Sequence, residues 1–401
     1  MSIYADEKKN VAILVISQLL FMVATITVTT LSGVIGQELS PNPNLATLPI
    51  SLMMIGSLLT TLPASLYMKR VGRRRGFITG AAVGGVGGAA LSVYAIASAS
   101  FLLFCLGNML IGFYQGFAMY YRFAAADVAS PTFRTRAMSF VMAAGLVAAF
   151  LGPWNASSMV QLIPSLPNAG PFVMIMVFTA LALLLLSQLR VPAPGEPQPS
   201  DTERPIKTIV RQPTFLVALL SGTVGYTVMA LVMTATPLAL RARGYDMGDV
   251  AFIIQWHVLG MFAPSFFTGS LINRFGVDRV VLAGVVVFIG SIAIAVAGET
   301  LTHFWFSLVL LGVGWNFLFI SGSALVATTH TEAERGKVQG ANDLIVFSFS
   351  AAGSLLAGSL LHSLGWATLN LAMLPAIVLV AVVTWSWQFK RRRHSRVSEN
   401  H

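Results

Sequence analysis

The sequence predicts an all-α membrane protein whose twelve transmembrane helices form two six-helix bundles. Three observations support this fold class: a strongly apolar composition, twelve apolar segments of membrane-spanning length, and short motifs shared by the two halves. The chain has 401 residues, of which 56% are hydrophobic and 10% are charged, whereas a soluble domain has roughly 25% charged residues. Its mean hydropathy is +0.77. A chain this apolar cannot cover its surface with polar groups, so we expect that surface to contact lipid.

The number of spans follows from helix length. A bilayer core about 30 Å thick needs about 20 apolar residues per helix. By that measure the segments are centred on Leu20, Leu58, Gly87, Leu110, Val147, Phe178, Gly225, Gly260, Gly290, Val313, Ala352 and Val378. The first segment is too long for the apolar core of a signal peptide, so we expect an uncleaved span. An even number of spans places both termini on one side.

The distribution of lysine and arginine predicts which side that is. With the N-terminus inside, only Arg122, Arg241 and Arg243 of the 25 basic residues lie outside the inner loops, the central linker and the tails. Basic loops remain on the cytoplasmic side. We therefore expect a bacterial cytoplasmic (inner) membrane protein with cytoplasmic termini. The net charge of +10 then needs no nucleic-acid partner.

The longest polar stretch lies in the middle of the chain, where RVPAPGEPQPSDTERPIKTIVRQP is rich in proline and charge. Such a composition predicts a linker. We expect an N-terminal six-helix bundle at residues 1–190, a cytoplasmic linker at 191–212, and a C-terminal bundle with a basic cytoplasmic tail at 213–401.

Three motifs recur in the two halves at nearly the same spacing. Lys69-Arg70-x-Gly72 matches Asn273-Arg274-x-Gly276, FRTRA (133–137) matches ERGKV (334–338), and GFYQGF (112–117) matches GVGWNF (312–317). Parallel halves related by a pseudo-two-fold axis along the membrane normal are typical of secondary transporters.

On these motifs the sequence resembles the major facilitator superfamily (MFS) over essentially its whole length. The family's signature between spans 2 and 3 is Gly-x-x-x-Asp-Arg-x-Gly-Arg-Arg. The first half retains Arg70, Gly72, Arg73 and Arg74. Ser65 and Lys69 replace the signature Gly and Asp. The second half retains Gly269, Asn273, Arg274 and Gly276.

The resemblance implies that these loops form a cytoplasmic latch that holds the outward-open state. Asp127, at the inner end of span 4, is the expected partner of Arg70 or Arg74. The candidate latch residues are Arg70, Gly72, Arg74, Asp127, Arg134, Asn273, Arg274 and Gly276. The alternative is that the basic residues only set the topology, although topology alone does not require the recurring glycine.

Two further family signatures match only in part. Gln115 fits the end of Arg-x-x-Gln-Gly on span 4, but Gly112 occupies the Arg position. Gly152 and Pro153 fit the Gly-Pro of the antiporter signature on span 5. In proton-driven drug antiporters that Arg belongs to the coupling mechanism, so its absence counts against antiport. Pro153 is expected to bend its helix.

Polar side chains within spans supply the candidate site residues, because such groups are costly in hydrocarbon and face a cavity or one another. Helix–helix contact is the alternative role for each. The candidate substrate-binding residues are Gln115, Tyr121, Arg122, Asn155, Trp256, Trp315 and Asn316. The candidate proton-coupling residues are His257, whose imidazole titrates near neutral pH, and Asp343. Pairing of Asp343 with a loop arginine such as Arg335 is the alternative.

These residues favour transport of a planar, polar, mostly uncharged solute, because they are rich in amides and tryptophan and poor in acids. YYRFAAAD, QWHVLGMFAPSFFTG and GWNFLF also look like a bacterial subgroup of the superfamily that includes flavin-uptake members. The expected function is therefore secondary transport of a small organic solute by alternating access. Uptake of a flavin such as riboflavin is the leading interpretation, and proton-coupled efflux of drug-like compounds is the alternative. A monomer is expected, with protons as a candidate coupling ion.

Other functional classes have no support in the sequence. It contains no Gly-x-x-x-x-Gly-Lys-Ser/Thr motif for a nucleotide phosphate and no spaced Cys and His ligands for a metal. The single cysteine, Cys105, cannot form an intramolecular disulfide. We expect no cofactor, no metal and no enzymatic activity.

Overall fold

The computed structural model describes residues 6–130, 133–191, 204–331 and 334–398, and these ranges contain helices and no strands. The α-helices are α1 (Glu7–Leu39), α2 (Leu48–Val71), α3 (Arg73–Thr79), α4 (Gly88–Ala97), α5 (Phe101–Ala118), α6 (Tyr121–Val128), α7 (Arg134–Ser158), α8 (Gly170–Leu186), α9 (Ile206–Val210), α10 (Pro213–Ala242), α11 (Met247–Phe262), α12 (Ser265–Phe275), α13 (Val277–Ala297), α14 (Leu301–Ala327), α15 (Arg335–Leu371) and α16 (Leu374–Ser398). The predicted all-α class is confirmed.

Ten stretches of helix in the described ranges are long and apolar enough to cross a bilayer. Twelve spans were predicted, and the two that this number leaves over are also helical. The apolar helix α8 has 17 residues, which is just below the length of the others. The stretch Lys337–Phe389 contains two predicted spans, and Gly365, with a φ of 74°, separates one helix from the next. All twelve predicted segments are thus accounted for.

Glycine and proline explain where single spans are interrupted. The third span contains α3 and α4 joined by a π-helix at Gly80–Gly87. The glycines of that π-helix allow close packing, since a Cβ on Gly84 would lie 2.5 Å from the backbone nitrogen of Tyr114. The eighth span breaks between α11 and α12 at Pro264, because proline has no N–H to continue a helix.

The chain forms two compact units. Unit 1 contains Met1–Glu196, Thr234–Gln255 and Ser354–His362, and unit 2 contains Pro197–Met233, Trp256–Gly353 and Ser363–His401. Because unit 1 takes in segments from both halves of the sequence, the predicted division at residues 1–190, 191–212 and 213–401 stays a prediction.

Within unit 1, the second-half segments pack on the N-terminal part of α2. The backbone N–H of Gly358 donates to Thr47 Oγ1 at 3.3 Å, and Ser51 Oγ donates to Ser354 Oγ at 3.5 Å. These contacts lie at the helix ends that the charge distribution predicts to be outside.

The repeated loops have the same backbone geometry. Gly72, between α2 and α3, has φ 86° and ψ 153°, and Gly276, between α12 and α13, has φ 90° and ψ 148°. Each glycine N–H donates to the carbonyl four residues earlier, Met68 O and Ile272 O, at 2.9 Å. Residues with a side chain rarely adopt a positive φ, so the repeated glycine is explained by the turn itself.

Arg204 fixes the end of the linker to unit 2. Its Nε and Nη2 donate to the two carboxylate oxygens of Glu334 at 2.8 Å and 2.7 Å, and its backbone N–H donates to the same carboxylate at 2.8 Å. Lys337 Nζ donates to the Arg204 carbonyl at 2.7 Å. Glu334 is 1% exposed. The Arg204 guanidinium, with the backbone N–H of Thr331, holds the pKa of the Glu334 carboxyl well below its usual range. We call this set of contacts the linker clamp.

Candidate functional site

Five aromatic rings of unit 2 contact one another and form the best-defined candidate for substrate binding. Trp315 and Phe319, one helical turn apart on α14, are stacked with ring centroids 5.0 Å apart and planes inclined by 11°. The Tyr226 ring of α10 lies edge-on to Trp315, Phe319 and the Phe347 ring of α15, at 5.5, 5.4 and 5.3 Å. Phe262 of α11 lies 6.2 Å from Trp315. We call these five residues the aromatic group.

The aromatic group combines accessible ring surface with polar atoms. Trp315 is 6% exposed, whereas the other four rings are half-buried. The Nε1–H of Trp315 is buried without a hydrogen-bond partner among the described residues. Asp343 interacts electrostatically with Tyr226. Aromatic faces and edges bind flat rings by offset or edge-to-face contact, so the aromatic group is suited to a planar ligand.

Asn316 belongs to the helix packing rather than to the aromatic group. It is fully buried, and its Nδ2 donates to Met261 O at 2.6 Å and to Ser265 Oγ at 2.7 Å. Its Oδ1 accepts from Thr268 Oγ1 at 2.6 Å. Asn316 therefore ties α14 to the break between α11 and α12, and its amide is already occupied by protein partners.

His257 is also buried between helices. Its Nδ1 lies 2.8 Å from the backbone oxygen of Leu308, and a carbonyl can only accept, so Nδ1 carries the hydrogen. Its Nε2 is buried without a partner among the described residues. The adjacent Trp256 is 37% exposed, and its ring contacts Trp305 at 5.4 Å, apart from the aromatic group.

Two of the unit 1 candidates lie in the protein interior. Tyr121 is fully buried, and its ring packs edge-on to Phe77 at 4.7 Å. Asn155 is also fully buried, and its Nδ2 donates to Thr27 Oγ1 at 3.0 Å and to Pro171 O at 3.2 Å. Asn155 thus joins α1, α7 and α8, which is the helix-contact role.

The remaining substrate-binding candidates of unit 1, Arg122 and Gln115, are partly exposed. Arg122 places its guanidinium carbon 4.7 Å from the ring centroid of its neighbour Phe123. Gln115 is half-buried, and its Oε1 has no partner among the described residues. Pro153 lies inside α7, and a Cβ on Gly152 would lie 2.6 Å from Ile26. The predicted bend at Pro153 stays a prediction.

Asp127 of the predicted latch forms an ion pair with Arg73 and not with the expected Arg70 or Arg74. Arg73 Nε lies 2.6 Å from Asp127 Oδ2, which joins α3 to α6. Arg70 and Arg74 are exposed. In the second half, the Arg274 guanidinium carbon lies 5.2 Å from the Phe275 ring centroid, and Asn273 is exposed. The side chains of Arg134 and Arg335 lie outside the described part of the structure.

Comparison with known proteins identifies the family. The sequence profile described as "Major Facilitator Superfamily" matches residues 13–263 and 225–401. The chain belongs to the Major Facilitator Superfamily.

Two bacterial relatives in the superfamily match this chain over nearly its whole length. It is 45% identical over 377 residues to the protein named riboflavin transporter RfnT of Brucella anthropi, covering 94% of each chain. It is 30% identical over 404 residues to the uncharacterized MFS-type transporter YdeG of Bacillus subtilis, covering 94% of this chain and 92% of that one.

Solved MFS structures share the fold at low sequence identity. A bacterial homolog of the human lysosomal transporter Spinster, in an inward-facing and occupied conformation, has a TM-score of 0.71 at 14% identity and covers 95% of this chain and 96% of that one. The human organic anion transporter MFSD10 has a TM-score of 0.66 at 17% identity and covers 94% of this chain and 99% of that one. These likenesses concern the fold alone.

The departure from the MFS signature at Gly112 has a steric explanation. A Cβ on Gly112 would lie 2.0 Å from the carbonyl oxygen of Met53, so α2 and α5 cross too closely for the arginine of the signature. Sequence reasoning missed Tyr226, Phe262, Phe319 and Phe347 of the aromatic group. The i, i+4 pair Trp315 and Phe319 within GVGWNFLF was a usable signal, whereas tertiary packing alone brings in the other three.

Proposed function

We propose that this MFS member imports riboflavin or a closely related flavin by alternating access. The observation that carries the proposal is the 45% identity, over 94% of both chains, to the riboflavin transporter RfnT. The riboflavin transporter RibZ of Clostridioides difficile is 25% identical over 154 residues, which is a shorter match of 38% of this chain.

The aromatic group supports this substrate class. A flavin has a flat, uncharged ring system with polar edges, and base–aromatic stacking contributes about 1–3 kcal/mol per ring in nucleic-acid complexes. The half-buried rings of Tyr226, Phe262, Phe319 and Phe347 offer such surfaces.

The finer parts of the proposal concern the membrane and the coupling ion. The charge distribution favours the bacterial inner membrane with cytoplasmic termini, and the proposal takes the transporter to be a monomer. Of the two proton-coupling candidates, Asp343 is the better placed because it interacts with Tyr226 of the aromatic group. His257 is enclosed and bonded to a backbone carbonyl, which favours a structural role.

An uptake assay tests the proposed function. A riboflavin-auxotrophic bacterial strain without its own uptake system would express this chain, and accumulation of radiolabelled riboflavin would be followed with and without a protonophore. We expect accumulation to rise with expression and growth to need less external riboflavin. Membrane-inserted protein without any increase in accumulation would overturn the proposal.

The same cells can be tested for efflux, the competing function. Multidrug resistance protein 2 of Bacillus subtilis is 25% identical over 191 residues, 46% of this chain. If the chain were a drug exporter, ethidium levels would fall with expression and recover on addition of a protonophore. We expect ethidium levels to stay unchanged.

A further inference from the structure

We propose that the aromatic group binds the ring system of the substrate and that Tyr226 is its central, specificity-determining residue. This inference deepens the proposed function and rests on it only for the identity of the ring. Among the half-buried members of the aromatic group, Tyr226 of α10 contacts rings on two other helices, α14 and α15. Its ring orientation is therefore set by packing from both.

The spacing of the rings shows where a flat ligand fits. Trp315 and Phe319 have centroids 5.0 Å apart, and two stacking layers at about 3.5 Å each would need about 7 Å. A ligand ring therefore cannot enter between them. It must lie against the accessible surfaces of the half-buried members, among which Tyr226 connects Phe319 to Phe347.

Hydroxyl groups beside Tyr226 indicate what the ligand carries besides a ring. Thr223 lies one helical turn before Tyr226 on α10, and Thr227 lies one turn after Thr223, so the two threonines share a helix face beside Tyr226. The Oγ1 atoms of both threonines are buried without a partner among the described residues. An unpaired buried polar group is unfavourable, so a ligand that supplies hydrogen bonds to these hydroxyls is favoured. A planar heteroaromatic ring that bears a polyol chain offers both kinds of contact.

Binding of ligand fragments tests this arrangement. The purified full-length protein would be titrated with riboflavin, with lumichrome, which has the ring system without the ribityl chain, and with ethidium. Binding would be followed by the fluorescence of each probe. The variants are Tyr226→Ala, Tyr226→Phe and Thr223→Val. Tyr94→Ala is the matched control, because Tyr94 is 62% exposed and belongs to unit 1.

We expect Tyr226→Ala to raise the Kd of both ligands about tenfold, which is within the range of aromatic stacking. Tyr226→Phe should leave lumichrome binding within about threefold, because the ring surface is retained. Thr223→Val should weaken riboflavin binding and leave lumichrome binding unchanged. The control should bind both ligands like the wild type.

The outcomes separate this inference from the proposed function. If the wild type binds riboflavin and Tyr226→Ala, folded by its melting temperature, binds both ligands equally well, the inference is wrong and the proposed function stands. If the wild type binds ethidium but no flavin, and Tyr226→Ala abolishes that binding, the ring subsite is supported and the flavin assignment is wrong. If the wild type binds none of the three probes, both are overturned.

Discussion

Trp315 and Asn316 are neighbours in the sequence but take part in different interactions. Successive residues of an α-helix point about 100° apart. Trp315 therefore contacts the other rings of the aromatic group, whereas Asn316 contacts the break between α11 and α12. The amide of Asn316 is hydrogen-bonded to protein partners. Among the residues described, the Nε1–H of Trp315 has no hydrogen-bond partner.

Asn316→Ala should destabilise the protein without a specific loss of substrate affinity. The substitution removes the hydrogen bonds to Met261 O, Ser265 Oγ and Thr268 Oγ1. Thr268 Oγ1 keeps its bond to Pro264 O, but a buried acceptor left unpaired costs about 1–3 kcal/mol. We expect a clear fall in melting temperature, with riboflavin affinity of the remaining folded protein unchanged. Asn44→Ala, at an exposed loop position, is the control. A stable Asn316→Ala protein with weakened binding would show that Asn316 contacts the substrate.

The polarity of single residues in the spans pointed to side chains that are buried, but it did not identify their partners. His257, Asn155 and Asn316 were selected because polar groups are rare in spans, and all three are buried. Sequence cannot tell whether a substrate or a neighbouring helix satisfies such a group, because the answer depends on which helices pack together.

At the scale of helices and loops, the glycines of the two repeated turns are the residues whose role is clearest from the sequence. Gly72 has open space around its Cα, yet its φ of 86° disfavours any side chain. Gly276 has a φ of 90°, and a Cβ there would also lie 2.7 Å from the side-chain oxygen Oδ1 of Asp278, which can move aside. The requirement is conformational in both copies, which is why the motif recurs although the charges around it differ.

Gly72→Ala and Gly276→Ala should each destabilise the protein by about 1 kcal/mol, since a left-handed backbone conformation is unfavourable for residues with a Cβ. Gly269→Ala is the matched control, because Gly269 also has open space but no positive φ. We expect its melting temperature to stay the same or rise slightly, as alanine favours helix. Equal effects of all three substitutions would contradict the conformational explanation.

The linker clamp should be insensitive to pH in the physiological range. The pKa of Glu334 is held below its unfolded value of about 4.3. Its stabilising contribution is therefore fully present above that pH and is lost only as the pH falls through the lower folded-state pKa. Glu334→Gln should lower the melting temperature by the same amount at pH 5, 6, 7 and 8, and the difference should shrink in stronger acid. Glu299→Gln, at an exposed position, is the control. If the melting-temperature difference between Glu334→Gln and the wild type varied between pH 5 and 8, the lowered pKa of Glu334 would be wrong.

At the scale of the whole molecule, composition and the length of the apolar segments were sufficient for the fold class and the span count. Hydrocarbon permits few spanning structures, and apolar helices are the one that a chain of 20-residue apolar segments can form. The compact units were not predictable in the same way. Unit 1 includes Thr234–Gln255 and Ser354–His362, since contacts such as Gly358 to Thr47 depend on tertiary packing.

Cysteine labelling tests the predicted orientation of the whole chain. The wild-type chain has one cysteine, Cys105, which is buried, so intact wild-type cells should not react with a membrane-impermeant maleimide. Asn44→Cys, in an exposed loop predicted to be outside, should be labelled in intact cells. Arg279→Cys, at an exposed position predicted to be inside, should be labelled only after permeabilisation. The opposite pattern would reverse the orientation.

The position of the linker clamp bears on how the chain could be synthesised. Arg204 follows the proline-rich segment, so a cut before it would leave the clamp and α9 on the same fragment as α10 to α16. Each fragment would carry six predicted spans and its own set of basic inner loops, and so its own orienting signal. A gene divided at that point would give two polypeptides that each enter the membrane with the correct topology before they meet.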